Sequence, residues 1–148
     1  MNTWIYPIGN KVYTFKLKDD TELDLNTESF KENLLKNKLP SQFWWHVRNN
    51  YADVEEGDDV YLYATQRNKE YGIIGYAKVI EKRICEEDIE NNIEKRKEIA
   101  LELNVVKSKK FVKNPLRLSN IICRIPMSPL GKVSKECKDY ISERENED

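Results

Sequence analysis

The sequence predicts an α+β domain, and three observations carry the prediction. Two consecutive runs, Asp59–Gln66 and Tyr71–Ile80, alternate apolar and polar residues with the period of a strand. A β-branched and aromatic segment opens the chain, and charged stretches after residues 28 and 85 show the wider spacing of helices. At 148 residues the chain is long enough for one core of its own, so a single domain over 1–140 followed by a charged, frayed tail at 141–148 is expected.

Taken in order, TWIYPIG (3–9) and KVYTFKL (11–17) read as two strands with a turn at Gly9-Asn10. SFKENLLKNKLP follows, with Phe30, Leu34 and Leu35 on one helical face. Ser29 and Glu32 stand at capping-box spacing, and Pro40 serves as the stop. A short helix or turn is expected from Ser41, carrying FWWHVRNNY.

Glu56-Gly57-Asp58 is a turn signal, and the strand after it places Val60, Leu62 and Ala64 on one face and Tyr61, Tyr63 and Thr65 on the other. QRNKE breaks the pattern before a second strand in which Ile73, Gly75, Ala77 and Val79 share a face, so the pair forms a β-hairpin. Gly75, among bulky neighbours, marks a bend or a close backbone approach. Residues 86–103 read as a helix with a stripe of Ile89, Ile93, Ala100 and Leu103, and LSNIICRI (118–125) as a last strand.

Charge and motif content exclude several chemistries. Lys and Arg total 25 against 26 Asp and Glu, so net charge alone selects no polyanionic partner. The distribution is uneven: no acidic residue stands between Glu102 and Glu136, whereas Lys107, Lys109, Lys110, Lys113, Arg117, Arg124, Lys132 and Lys135 do. Such a stretch is either a solvated face or the footprint of a phosphate-binding rim.

Cys85, Cys123 and Cys137 lack metal-ligand spacing, and an odd number suits reduced cytoplasmic thiols. No apolar run is long enough to span a bilayer, so no membrane partner is expected. With one histidine, no Gly-x-Ser-x-Gly stretch and no phosphate-binding glycine loop, neither a metal, a cofactor nor an enzymatic role is expected.

Order and spacing in the middle of the chain carry a resemblance. Trp44, three residues before Val47-Arg48-Asn49, is followed by Gly57, Asp58, Val60, Tyr63 and Thr65. Gly72, Ile73, Gly75, Ala77 and Val79 come next. This pattern resembles the EVE domain of the PUA-like superfamily, related to YTH and ASCH domains, and Thr3-Trp4-Ile5-Tyr6 resembles its first strand. The likeness covers residues 3–8 and 44–80; beyond Ile80 it is architectural only. It implies a small, partly open β-barrel flanked by helices, with a pocket for one modified nucleobase.

As a reader, the chain would bind DNA carrying methylated or hydroxymethylated cytosine or N6-methyladenine, flipping the base into an aromatic pocket. The family's association with restriction nucleases implies the specificity domain of a modification-dependent restriction system, with a nuclease or NTPase partner. Trp44 or Trp45 would form a wall and the other would pack in the core, with Tyr63 as a second wall. Asn49 and Thr65 would read the base edge, and Arg48 and His46 would brace the pocket or contact phosphate. Lys107, Lys109, Lys110, Lys113 and Arg117 would hold the backbone. Two other readings stand beside it: an RNA-binding PUA-like module, and a barrel or enzyme for a free nucleoside.

Overall fold

Alternation along Asp59–Ala64 (β5) sets the architecture, because its two side-chain sets feed two different cores. The computed structural model describes residues 1–9, 11–65, 71–119, 122–126 and 130–145. Val60, Leu62 and Ala64 enter an inner core with Trp4, Tyr6, Phe15, Phe30, Phe43 and Trp45. Tyr61 and Tyr63 enter an outer core with Ile5, Ile73, Tyr76, Phe111 and Ile141.

β5 pairs antiparallel with Gly72–Ile89 (β6), as the sequence predicts; the connecting residues 66–70 lie outside the described ones. A bulge intervenes where Leu62 faces Gly75 but Tyr63 faces Ile73. Ile74 therefore joins the inner core while Ile73 turns outward, which corrects the expectation that Ile73 shares a face with Ala77 and Val79. The close approach expected at Gly75 is present, since a Cβ there would lie 2.9 Å from Leu62 Cδ1.

The expected helix over 86–103 is a strand. β6 turns at Glu90 and Asn91, both left-handed (φ 50° and 69°), into Asn92–Leu103 (β7), forming a long ribbon. Two left-handed residues in succession suit the twist of a tight hairpin. The helical stripe fails at Ile93, which is 71% exposed, whereas Ile99, Leu101 and Leu103 alternate into the inner core.

β1 (Thr3–Ile8) runs parallel to β5, and the crossover between them is built from Tyr13–Leu17 (β2), Glu22–Leu25 (β3), helix α1 (Thr27–Leu35) and Gln42–His46 (β4). The strands expected at 3–9 and 11–17 both exist, but they are not partners: β2 pairs with β3 and β4. Gly131–Lys132 (β8) closes an eight-stranded sheet ordered β3-β2-β4-β7-β6-β5-β1-β8. Among the described residues its end strands do not pair and three α-helices flank it, giving a partly open α+β barrel.

Helix α1 begins earlier than Ser29. Asn26 accepts from the Ser29 N–H at 2.8 Å and the Ser29 hydroxyl accepts from the Asn26 N–H at 2.9 Å, so these two residues form the box. Glu32 instead pairs with Lys36 at 2.6 Å, and the helix ends well before Pro40.

Asn104 caps α2 (Val105–Lys113), which carries part of the basic stretch. Among its described residues, 118–125 forms no strand; nearby Leu116 makes only an isolated bridge to Ile73. Residues 141–145, expected to fray, belong to α3 (Lys135–Glu145), where Ile141 is buried. The reduced-thiol expectation is also overturned: Cys123 and Cys137 form a disulfide that ties α3 to the loop before it, leaving Cys85 free.

Candidate nucleic-acid interface

FWWHVRNNY begins as a strand, not as the helix or turn expected from Ser41, and this decides the fate of its two tryptophans. Along β4, Phe43, Trp45 and then Val47 point into the barrel, where Trp45 packs on Tyr6, Phe15 and Phe43 with centroids 4.4–5.0 Å apart. Trp45 is 0% exposed. Trp44 and His46 take the outer face. The sequence argument that one tryptophan is core and the other is not is resolved in favour of Trp44 as the outward one.

Trp44 lies beside Ala100 on β7 and Lys16 on β2. Two long cationic side chains lie over the indole. Arg83 Cζ stands 4.0 Å from the ring centroid and Lys18 Nζ 4.6 Å from it, leaving Trp44 only 3% exposed.

Arg83 also donates from Nε to Glu98 Oε1 at 3.0 Å and reaches Asp20 Oδ1 with Nη2 at 3.1 Å. Glu98, 0% exposed, forms an ion pair through its other oxygen with Arg96 Nε at 3.3 Å and accepts from the Cys85 thiol at 3.3 Å on Oε1. Burial, then the Glu98 carboxylate, pushes the Cys85 thiol up and keeps it protonated at neutral pH. His46 faces Glu98 across the β4–β7 pair. Tryptophan, carboxylate, histidine and guanidinium thus share one outer patch.

Past β4 the chain turns at Asn50 (φ 63°), whose side-chain amide donates to the Leu130 carbonyl at 2.8 Å, and Arg48 and Asn49 are exposed on that turn. Tyr51 follows, with Lys82 Nζ 4.4 Å and Lys97 Nζ 5.9 Å from its centroid. The hydroxyl of Tyr6 donates to the His46 carbonyl at 2.7 Å, pinning β1 to the end of β4. Burial holds that phenol well above its ordinary range.

Tyr63 and the basic stretch belong elsewhere. Tyr63 is buried in the outer core, and burial raises its phenol although the Leu118 N–H donates to it. Close by, Tyr71, Lys113, Asn114, Pro115 and Arg117 line a cavity of about 290 Å³, with Arg117 Cζ 4.5 Å from the Tyr71 ring. Thr65 directly follows β5, its N–H donating to the Ile8 carbonyl.

Trp44 lies level with Ala100 and Glu81, whereas Tyr63 faces Ile73, eight positions away along β6, a span of about 25 Å at strand rise. One pocket built from both Trp44 and Tyr63 is therefore not what the strands provide. The cations disperse as well: Lys107 pairs with Glu145 at 3.0 Å, Lys109 donates to Asn37, Lys110 is exposed, and only Lys113 and Arg117 reach the cavity.

No family model matches the sequence, and no curated protein matches it. Among solved structures, that of human THYN1 in complex with 5-methylcytosine-containing DNA is similar over 100% of this chain and 99% of that one. The TM-score is 0.56 at 13% sequence identity. The fold is EVE/PUA-like. Of the residues expected to line a base pocket, Trp44, His46, Arg48 and Asn49 lie on β4 and the turn that follows it.

Arg83, Glu98, Lys18, Tyr51, Lys82 and Lys97 were missed. The signal for them was present: read with a strand period, Arg83 and Cys85, and likewise Arg96 and Glu98, share a face. Reading 86–103 as a helix scattered Arg96 and Glu98 around a solvated cylinder and left Arg83 and Cys85 outside any element.

Proposed function

We propose that this protein is a DNA-binding module that reads a modified base, 5-methylcytosine foremost, on the Trp44 face. The observation that carries the proposal is the fold shared over the whole chain with human THYN1 in its complex with 5-methylcytosine-containing DNA. The chemistry of β4 supports it. Trp44 offers a flat ring whose present covers, Lys18 and Arg83, are long flexible side chains that can withdraw toward phosphate. Base–aromatic stacking contributes about 1–3 kcal/mol, comparable with the few kcal/mol that flipping a base out of a duplex costs.

Arg48, Lys82 and Lys97 would neutralise phosphates beside the flipped base, and Asn49 would contact the base edge or the sugar. Lys113 and Arg117, with exposed Lys110, would hold DNA farther along. Hydroxymethylcytosine and N6-methyladenine are the other candidate ligands, since each presents a flat face and a small added group. In this reading the chain acts in the cytoplasm as the specificity module of a modification-dependent restriction system, and a nuclease or NTPase comes from a partner.

The test is fluorescence-anisotropy binding to short duplexes that differ at one base, unmodified, 5-methylcytosine, 5-hydroxymethylcytosine or N6-methyladenine, at two salt concentrations. The reading expects the 5-methylcytosine duplex to bind best and every affinity to fall as salt rises. Equal binding to all four, or a preference for single-stranded RNA regardless of methylation, would refute it.

A further inference from the structure

A reader of 5-methylcytosine must also reject thymine. The two bases carry the same 5-methyl group and stack alike, and they differ at the edge, where one has an exocyclic amine and the other a keto oxygen. Trp44 cannot make that distinction. A hydrogen-bond acceptor held beside the stacked ring can.

The protein holds such an acceptor, with something already bound to it. The Arg83 guanidinium is planar and carries N–H donors. Its Cζ stands 4.0 Å from the Trp44 centroid while its Nε donates to Glu98 Oε1 at 3.0 Å. A cytosine ring stacked on the same indole with its amine directed at the same oxygen would make the same two contacts. Glu98 has a separate neighbour for its second oxygen, Arg96 at 3.3 Å, so the buried carboxylate stays compensated when Arg83 departs. The remaining hold on Arg83 is Asp20, an exposed carboxylate in the β2–β3 turn.

Resting on the proposed reading of modified DNA, we propose that Arg83 is a placeholder for the nucleobase and that Glu98 is the specificity-determining residue. On binding, Arg83 leaves the indole for a phosphate, and the base takes its position with its amine donating to Glu98 Oε1. The ligand class is a base with an exocyclic amine, and the O4 of thymine meets a carboxylate that can only repel it.

The experiment compares duplexes holding one 5-methylcytosine or one thymine opposite the same guanine, with an unmodified control, in the wild type, Glu98→Gln and Arg83→Met. The wild type is expected to prefer 5-methylcytosine over thymine by about tenfold or more, the range for one good edge contact. Glu98→Gln, whose amide can donate to O4, is expected to lose that preference while keeping its salt dependence. A folded Glu98→Gln that keeps the full preference overturns the assignment yet leaves methylcytosine reading intact. A wild type that does not separate methylated from unmodified DNA overturns both.

Should Glu98→Gln fail to fold, Arg83→Met decides. Titrated with free 5-methyl-2′-deoxycytidine, which has no phosphate for Arg83 to meet, it is expected to bind more tightly than the wild type, because the competing guanidinium is gone. Unchanged or weaker nucleoside binding overturns the placeholder role.

Discussion

Trp44 and Trp45 are chemically identical neighbours, and the fold treats them in opposite ways. Trp45 is enclosed by Tyr6, Phe15 and Phe43 in the barrel interior, where no rearrangement short of unfolding would uncover it. Trp44, one residue earlier, faces outward, and Lys18 and Arg83 lie over its ring. Exposure of 0% against 3% makes them look alike, but the nature of the cover differs. An aromatic ring covered by backbone-anchored hydrophobes stabilises a core, whereas one covered by the tips of long cations can exchange partners with a ligand.

The sharpest way to break this comparison is to remove the interior ring. Trp45→Ala is expected to cost about 3–5 kcal/mol, the range for emptying a large aromatic site, read as a lower denaturation midpoint. Its indole N–H has no hydrogen-bond partner among the described residues. Trp45→Phe, which deletes that N–H, should therefore lose much less. A Trp45→Ala protein as stable as the wild type would mean that the inner core does not depend on β4.

A third tryptophan sharpens the contrast at intermediate size. Trp4 Nε1 donates to Asp58 Oδ2 at 2.9 Å, and Asp58 also accepts from the backbone N–H groups of Asn2 at 3.1 Å and Glu55 at 3.0 Å. Burial alone would raise this carboxyl; the three donors outweigh it and hold it below the ordinary aspartate range. A depressed folded-state pKa stabilises the fold above the unfolded value, near 3.8, and the contribution is lost as pH falls through the folded one. Asp58→Asn is expected to cost about 1.5–3 kcal/mol at pH 7 and to flatten the acid limb of stability against pH. An unchanged acid limb would remove Asp58 from the account.

The smallest stability effect is expected at Trp44. Two cation–π contacts at about 0.5–1 kcal/mol each, with flexible side chains able to close over the gap, put Trp44→Ala at roughly 1–2 kcal/mol. Its main consequence should be on binding.

The β5–β6 hairpin was legible because one of its faces is apolar throughout, so alternation alone identified Val60, Leu62 and Ala64 as interior. The β6–β7 ribbon was not, because its outer half is charged on both faces and presents no apolar period to read. Ile89 and Ile93 happened to stand four apart, and that spacing suggested a helix. The pairing Glu86↔Lys95 across the ribbon is a tertiary fact that no local window contains.

For the candidate site, the motif residues of β4 and its turn were singled out by their resemblance to a family pattern, but Arg83 and Glu98 lie 39 and 54 positions downstream of Trp44, Glu98 in a segment read as a helix and Arg83 between that segment and the strand before it. The placement of Trp45 against Trp44 needed only the knowledge that FWWH is a strand. The disulfide needed the fold, since nothing in the spacing of Cys123 and Cys137 says that α3 returns to that loop.

The most direct test of the Trp44 face as the reading surface is the affinity ratio of a 5-methylcytosine duplex to its unmodified counterpart. It would be measured for the wild type and for Trp44→Ala at one salt concentration, with thermal denaturation recorded on both. Stacking of about 1–3 kcal/mol predicts that the wild type's preference collapses toward unity in Trp44→Ala while residual, salt-sensitive binding persists in a folded protein. A folded Trp44→Ala that retains the wild-type ratio would contradict the account.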